Sequence, residues 1–277
     1  MSNLISAIQL KELMETRSVK LLDASITFQI PSEAPKIIDQ WIAGSIRFDY
    51  DHDFCALDSD LPHMMPSVTV FQKKARVLGL NNSDCIVVYD NSGTLASPRA
   101  WWMLSAMGAT NVLVLNGGLP AWIEAGFETV EERNEPQGGG SFLAKNNASA
   151  FISASEVLKF STEQSANILD ARSKARFYGE VPEPREGLRS GHIPHSINLP
   201  FGRLLNNGAF KPLEDLRDAY ADLDLDADKP LVFSCGSGVT ACILLLAAHE
   251  IGFRNLSIYD GSWTEWGADT SLPIKCE

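Results

Sequence analysis

Apolar and polar positions along the chain run through one series of patterns twice. Ser6-Ala7-Ile8-Gln9 opens an apolar-periodic run in capping-box form, and Ser153-Ala154-Ser155-Glu156 opens another. At the same spacing, Leu21-Leu22-Asp23-Ala24-Ser25 is echoed by Ile168-Leu169-Asp170-Ala171-Arg172. Further on, the apolar run Ile86-Val87-Val88-Tyr89 pairs with Pro230-Leu231-Val232-Phe233, and Gly108, Asn116, Gly117 and Trp122 pair with Gly252, Asp260, Gly261 and Trp266. So sustained a correspondence means duplication. Each copy predicts a capped helix, a short strand ending in Leu-Asp-Ala and a long loop. A buried strand, a helix, a third strand (112–115, 256–259) and a short Trp-bearing helix follow. Strands alternating with helices predict an α/β fold of two similar tandem domains, each a parallel sheet flanked by helices. The domains are expected at 1–130 and 151–277. The polar, glycine-rich stretch 131–150 would be their linker.

Composition narrows the function classes. With 23 Lys+Arg against 35 Asp+Glu the formal charge is −12, which argues against a nucleic-acid partner or an anionic membrane surface. The longest apolar stretch, Ala241 to Ala248, falls far short of a bilayer span. The opening MSNLISAIQLKELMET has no basic region followed by an apolar one, so no signal peptide is expected. Five cysteines, an odd number with no C-x-x-C pair, read as reduced thiols in a cytoplasm, with no structural zinc.

The richest chemistry lies in Ser234-Cys235-Gly236-Ser237-Gly238-Val239-Thr240. A strand is expected to end at Ser234 and a helix to begin near Val239, placing Cys235 at the carboxyl end of a strand, where open α/β sheets keep their chemistry. Gly236 and Gly238 let the backbone curl so that successive N–H groups form an anion nest at a helix N-terminus. A thiol held there has its anion stabilised, which is what a nucleophile needs. The plainer alternative is a small buried hydrophobe. Gly236–Ala241 also matches G-x-G-x-x-G/A, but too few residues follow to complete a dinucleotide domain. A phosphatase-like C-x5-R loop is disfavoured because Ala241 stands where the arginine belongs. By the pairing of Ile86 with Pro230, Asn91 stands opposite Cys235.

Arginines concentrate at 172, 176, 185 and 189, with Lys174 against Glu180, Glu183 and Glu186. This reads either as a positive site for an anionic substrate, since Arg offers a planar fork to a carboxylate, or as a solvated loop of weak Arg–Glu pairs.

These motifs, with Ser97-Pro98-Arg99-Ala100-Trp101-Trp102-Met103, Asn116-Gly117-Gly118, Pro182-Glu183-Pro184-Arg185, Gly191-His192-Ile193-Pro194 and Tyr259–Trp266, make the chain resemble the tandem-rhodanese sulfurtransferases over nearly its whole length. The resemblance implies a reactive cysteine in the second domain only, Cys235. It also implies a persulfide-holding loop of Gly236, Ser237, Gly238, Val239 and Thr240, and substrate-carboxylate arginines at Arg176 and Arg185. The implied reaction moves sulfur from 3-mercaptopyruvate through a cysteine persulfide to a thiol or cyanide, with no cofactor and no metal, and with a thioredoxin-like reductant among the acceptors. Thiosulfate sulfurtransfer and a persulfide carrier or redox-signalling role are the alternatives. Related thiosulfate enzymes place Arg-Lys directly after the cysteine, where this chain has Gly236-Ser237. Gly236 is expected to need a backbone geometry that other residues tolerate poorly. Some relatives relay a proton through a first-domain His in a His-Ile-Pro-Gly-like turn; here that turn reads Trp41-Ile42-Ala43-Gly44. Ser237 and Thr240 would bond the sulfur or substrate, or cap the following helix. Arg172, Arg189, His192 and His195 read as structural. Trp101, Trp102, Trp122, Trp266 and Cys242 read as core, and Cys276 as exposed.

Overall fold

A computed structural model describes residues 2–29 and 33–276. The first half forms β1 (Leu4–Ile5), α1 (Ala7–Thr16), β2 (Lys20–Asp23), β3 (Ile46–Arg47), α2 (Val68–Val77), β4 (Ile86–Tyr89), α3 (Ser97–Ala106), β5 (Val112–Leu115) and α4 (Gly118–Glu124). The second forms β6 (Phe151–Ile152), α5 (Ala154–Glu163), β7 (Asn167–Asp170), α6 (Lys174–Phe177), β8 (Ser196–Asn198), the short β9 (Leu205–Asn206) and β10 (Ala209–Phe210), α7 (Leu213–Ala221), β11 (Leu231–Ser234), α8 (Ala241–Ile251), β12 (Leu256–Tyr259) and α9 (Ser262–Trp266). The sheet orders, β1-β5-β4-β2-β3 and β6-β12-β11-β7-β8, are the same order read twice. Every pairing registered within these two sheets is parallel. The two capping boxes form as the sequence predicts: Ser6 and Ser153 each accept from the amide of the third helical residue, and Gln9 and Glu156 reach back to the cap.

Each sheet carries its own core. In the first, Leu10 of α1 packs with Leu21, Val87, Leu115, Leu119 and Trp122. In the second, Val157, Ile168, Val232, Tyr259, Trp263 and Trp266 do the equivalent work. Helix α8 is apolar all round and buried from Ala241 to Ala248, packed against β11, β12 and α7. Each of its three consecutive leucines contributes about 2 kcal/mol of transfer free energy, which anchors the helix whose N-terminus faces the cysteine loop. Trp101, Trp122 and Trp266 are buried as expected, whereas Trp102 is half-buried.

Contacts divide the chain into two units, Met1–Asp58 with Met65–Asn147 and Asn206–Phe210, and Ser59–Met64 with Ala148–Leu205 and Lys211–Glu277. Much of the stretch read as a linker packs within the first unit. Phe142 is fully buried, Gly140 N donates to Arg76 O at 3.1 Å, and Asn147 N to Ala106 O at 3.0 Å. Polar composition hid this, because the stretch is held by backbone hydrogen bonds and the single buried Phe142 rather than by a periodic apolar face.

A cysteine loop pinned from outside and its occupied twin

Strand β11 ends at Ser234, as the sequence predicts, and Cys235 follows it, buried, at the carboxyl edge of the sheet. Helix α8 begins at Ala241, slightly later than expected, with Thr240 as its cap residue. The turn leading into α9 fixes the loop's backbone. Trp263 N donates to Cys235 O at 3.0 Å, and Gly236 O accepts from Thr264 N at 2.9 Å and from Thr264 Oγ1 at 2.7 Å. Cys235 N donates to Ser262 Oγ at 3.2 Å, and that hydroxyl donates onward to Tyr259 O at 2.9 Å. Across a trans peptide the C=O and the next N–H point oppositely. With both carbonyls held toward α9, the Gly236 and Ser237 amides are turned away from it. Gly238 takes the left-handed conformation, φ +77°, which completes the curl. Gly236 is outside that region, so the expectation of a strained backbone there is corrected; a Cβ on Gly236 would sit 3.4 Å from Arg176 Nη2 instead. Among the described residues, the amides of Gly236, Ser237, Val239, Thr240 and Ala241 donate to no protein acceptor.

The first unit shows what such amides hold. Asp23 pairs with Tyr89 as Asp170 pairs with Ser234, and Leu119 N donates to Asp90 O at 2.9 Å as Trp263 N donates to Cys235 O. The residue opposite Cys235 is therefore Asp90, not Asn91; the sequence pairing was one residue out of register. Asp90 Oδ2 accepts from the amides of Leu95 (3.1 Å), Ala96 (2.9 Å) and Ser97 (2.8 Å) and from Ser97 Oγ (2.8 Å). Counting back from the first residues of α3 and α8, these amides correspond to Val239, Thr240 and Ala241. Burial pushes the Asp90 carboxyl up, while the bonds from Ser97, Ala96 and Ser92 pull it down. Burial prevails and the carboxyl is raised above its ordinary value, while four donors converge on its Oδ2. One copy of the loop thus closes on a carboxyl oxygen of its own where the other presents a cysteine.

The predicted arginines divide into two roles. Arg176, on α6, gives Nε (3.2 Å) and Nη2 (2.5 Å) to Glu183, which leaves its end-on N–H groups beside Gly236. Arg185 Nη1 donates to Thr264 Oγ1 at 2.8 Å, joining it to the pin on Gly236 O. Within the second unit Arg185 is thus bonded to the residue that pins the cysteine loop, and Arg176 lies beside that loop. Arg172 is buried over the Trp263 ring at 4.1 Å and bonds Asp170, Glu183 Oε1 at 3.0 Å and Gly191 O at 2.8 Å. Arg189 bonds the carbonyls of Trp266, Gly267, Asp269 and Leu272. Glu183, Ser262 and Thr264 were not anticipated. The only sequence signal for them was their place in the Pro-Glu-Pro-Arg and Tyr259–Trp266 motifs.

Several candidates are placed away from the loop chemistry. The Thr240 side chain does not cap α8. Trp41 bridges to Val130 and lies under the Arg133 guanidinium, 5.2 Å from the ring centre. His192 is buried, stacked on Phe177 at 3.9 Å, with Nδ1 at 2.9 Å from Phe177 O, and burial lowers its pKa. His195 is exposed, so the H-x-x-H spacing does not converge. Cys242 is buried with Sγ 3.3 Å from Gly238 O, and Cys276 is exposed. Among the described residues, no helix is long and apolar enough to cross a membrane.

Comparisons agree with this geometry. Residues 6–125 and 153–269 each match the rhodanese-like domain. The chain is 37% identical to the 3-mercaptopyruvate sulfurtransferase of Escherichia coli strain K12, covering 98% of this chain and 97% of that one. It is 36% identical to the mitochondrial thiosulfate/3-mercaptopyruvate sulfurtransferase 1 of Arabidopsis thaliana, covering 93% and 74%. The crystal structure of SseA from Escherichia coli superposes with a TM-score of 0.83 at 34% identity, covering 95% and 99%. Tum1 from Saccharomyces cerevisiae superposes at 0.85 with 29% identity, covering 100% and 99%. With both of its halves matched and its sheet order repeated, the chain belongs to the rhodanese-like domain family, in its tandem form.

Proposed function

We propose that this protein is a sulfurtransferase that takes sulfur from 3-mercaptopyruvate onto Cys235 and passes it to a thiol or cyanide. The Cys235 thiolate attacks the substrate sulfur and an S–S bond forms as the carbon–sulfur bond breaks. The bonding pair passes to carbon, the resulting enolate of pyruvate takes up the proton released by the substrate's thiol, and the enzyme keeps the persulfide as its anion. The acceptor then attacks the outer sulfur and restores the thiolate. Every bond in the cycle is made by the chain's own groups and the two substrates. The observation that carries the reading is the pair of loops: the amides that close on the Asp90 carboxyl oxygen in one unit have no protein acceptor beside Cys235 in the other. They suit a sulfur anion, formed or developing. Arg176 and Arg185 suit the carboxylate that lies beyond the reacting sulfur.

Relatives are named for both donors, so thiosulfate is the rival. Thiosulfate places two charges next to the attacked sulfur, where Gly236 and Ser237 offer only backbone dipoles. At equal donor concentration 3-mercaptopyruvate should turn over about tenfold faster or more, one missing charged contact being worth ~1.4 kcal/mol. Faster turnover of thiosulfate would reverse the assignment. A persulfide carrier would form the same adduct yet pass it poorly to small thiols, so turnover with them separates the two. Five free cysteines suit a reducing compartment, and we place the protein in the cytoplasm with thioredoxin-like reductants among its acceptors.

A further inference from the structure

Behind the two arginines lies a buried chain of alternating charge. Asp170 (side chain 2% exposed) binds Arg172 (1%), which binds Glu183 (1%), which in turn binds Arg176 (17%). Arg185 stands apart from this chain, on Thr264. Glu183 is its pivot: Oε1 accepts from both Arg172 and Arg176, and Oε2 takes a second bond from Arg176. The two carboxylates of this chain cancel the charges of Arg172 and Arg176, so within the cluster Arg185 carries the one unbalanced positive charge.

We infer that Glu183 sets the charge selectivity of the donor site, matching it to a monoanion and against a dianion. The inference rests on the sulfurtransferase reading. It goes further by assigning donor choice to a residue that need not touch the donor. One net positive charge balances the lone carboxylate of 3-mercaptopyruvate. A dianionic donor would bring a second charge that this cluster does not compensate. Glu183 also spends the Nε edge of Arg176, so the guanidinium can meet a donor only end-on. It is a positioning residue: it acts through Arg176 and Arg172.

The test compares persulfide formation on Cys235 from 3-mercaptopyruvate and from thiosulfate, in single turnover, for the wild type, Glu183→Gln and Glu183→Asp. Glu183→Gln should shrink the mercaptopyruvate-to-thiosulfate ratio of kcat/KM about tenfold, and Glu183→Asp, which keeps the charge, should hold it within about threefold. A glutamate with only a structural role would slow both donors alike; an unchanged ratio in an active Glu183→Gln protein overturns the inference. If Glu183→Gln does not fold, the wild type still decides, through inhibition by sulfate and methanesulfonate, which share a tetrahedral head and differ by one charge. Inhibition constants within about threefold are expected, and sulfate tighter by about tenfold refutes the inference. A wild type that uses neither donor would instead defeat the sulfurtransferase reading, while the inhibition pair would still report the charge of the site.

Discussion

Thr264 carries two hydrogen bonds that meet at the cysteine loop, so replacing it with valine tests the loop's construction with little change in volume. Its hydroxyl donates to Gly236 O at 2.7 Å and accepts from Arg185 Nη1 at 2.8 Å. The first is a neutral bond, worth about 1 kcal/mol net. The second is charge-assisted but made by an exposed arginine, so solvent screening brings it to about 1 kcal/mol as well. Gly236 O keeps the Thr264 amide at 2.9 Å, so the loop is loosened rather than released. Together the losses amount to about 2 kcal/mol, or roughly a 30-fold fall in kcat/KM for 3-mercaptopyruvate. The fall should divide. A wandering Arg185 raises KM, because the donor carboxylate is charged in ground and transition states alike, and a loosened Gly236–Ser237 peptide lowers kcat. Steady-state pyruvate release measures both, with Thr264→Ser restoring both bonds and staying within about threefold of wild type. A Thr264→Val enzyme within twofold of wild type in both parameters would refute the pinning argument.

Other outcomes follow from the same contacts. Arg176→Ala and Arg185→Ala should each lower kcat/KM for 3-mercaptopyruvate, by about 1.5–3 kcal/mol if the charged bond to the carboxylate is lost outright, with part of the loss appearing as raised KM; wild-type kinetics in both would dismiss the pair. Asp90→Ala leaves three buried amides and a hydroxyl without their acceptor, and at about 1 kcal/mol each the first unit should lose roughly 3–4 kcal/mol of stability in urea unfolding; a loss under 1 kcal/mol would mean the carboxyl is not what holds the loop. His192 is held neutral by burial, so its folded pKa lies below the unfolded value of 6.5. Its contribution is complete above 6.5 and is lost as pH falls toward the folded pKa, because the unfolded chain takes up a proton there that the folded chain refuses. His192→Asn should flatten stability across that window, and an unchanged acid limb would show that other groups set it.

The duplication, the strand–helix order and the cysteine loop were legible because each leaves a local mark: a capping box, an apolar run, a glycine pair. The register of β4 against β11 was not. Both strands are buried from end to end, so no alternation of apolar and polar residues fixes which residue faces which, and a slide of one position leaves the pattern intact. Asp90 emerged only when the strand pairing was seen. Glu183 was hidden for a different reason. A Pro-Glu-Pro-Arg loop reads as solvated, and only the fold shows that its carboxylate is buried between two guanidinium groups. Arg172 and Arg176 share the same charge in sequence, yet one lies buried over Trp263 and the other beside Gly236. That distinction came from resemblance rather than from residue type.

The most direct test of sulfur transfer through Cys235 is intact-protein and peptide mass spectrometry after brief exposure to 3-mercaptopyruvate, on the wild type and on Cys235→Ser. An alcohol is barely ionised where a thiol is readily activated, so the variant should neither gain sulfur nor release pyruvate. In the wild type, the added mass of one sulfur atom should lie on the peptide bearing Cys235 and vanish when a thiol acceptor is supplied. Sulfur found on Cys55, Cys85, Cys242 or Cys276 of the Cys235→Ser protein, with turnover retained, would contradict the assignment.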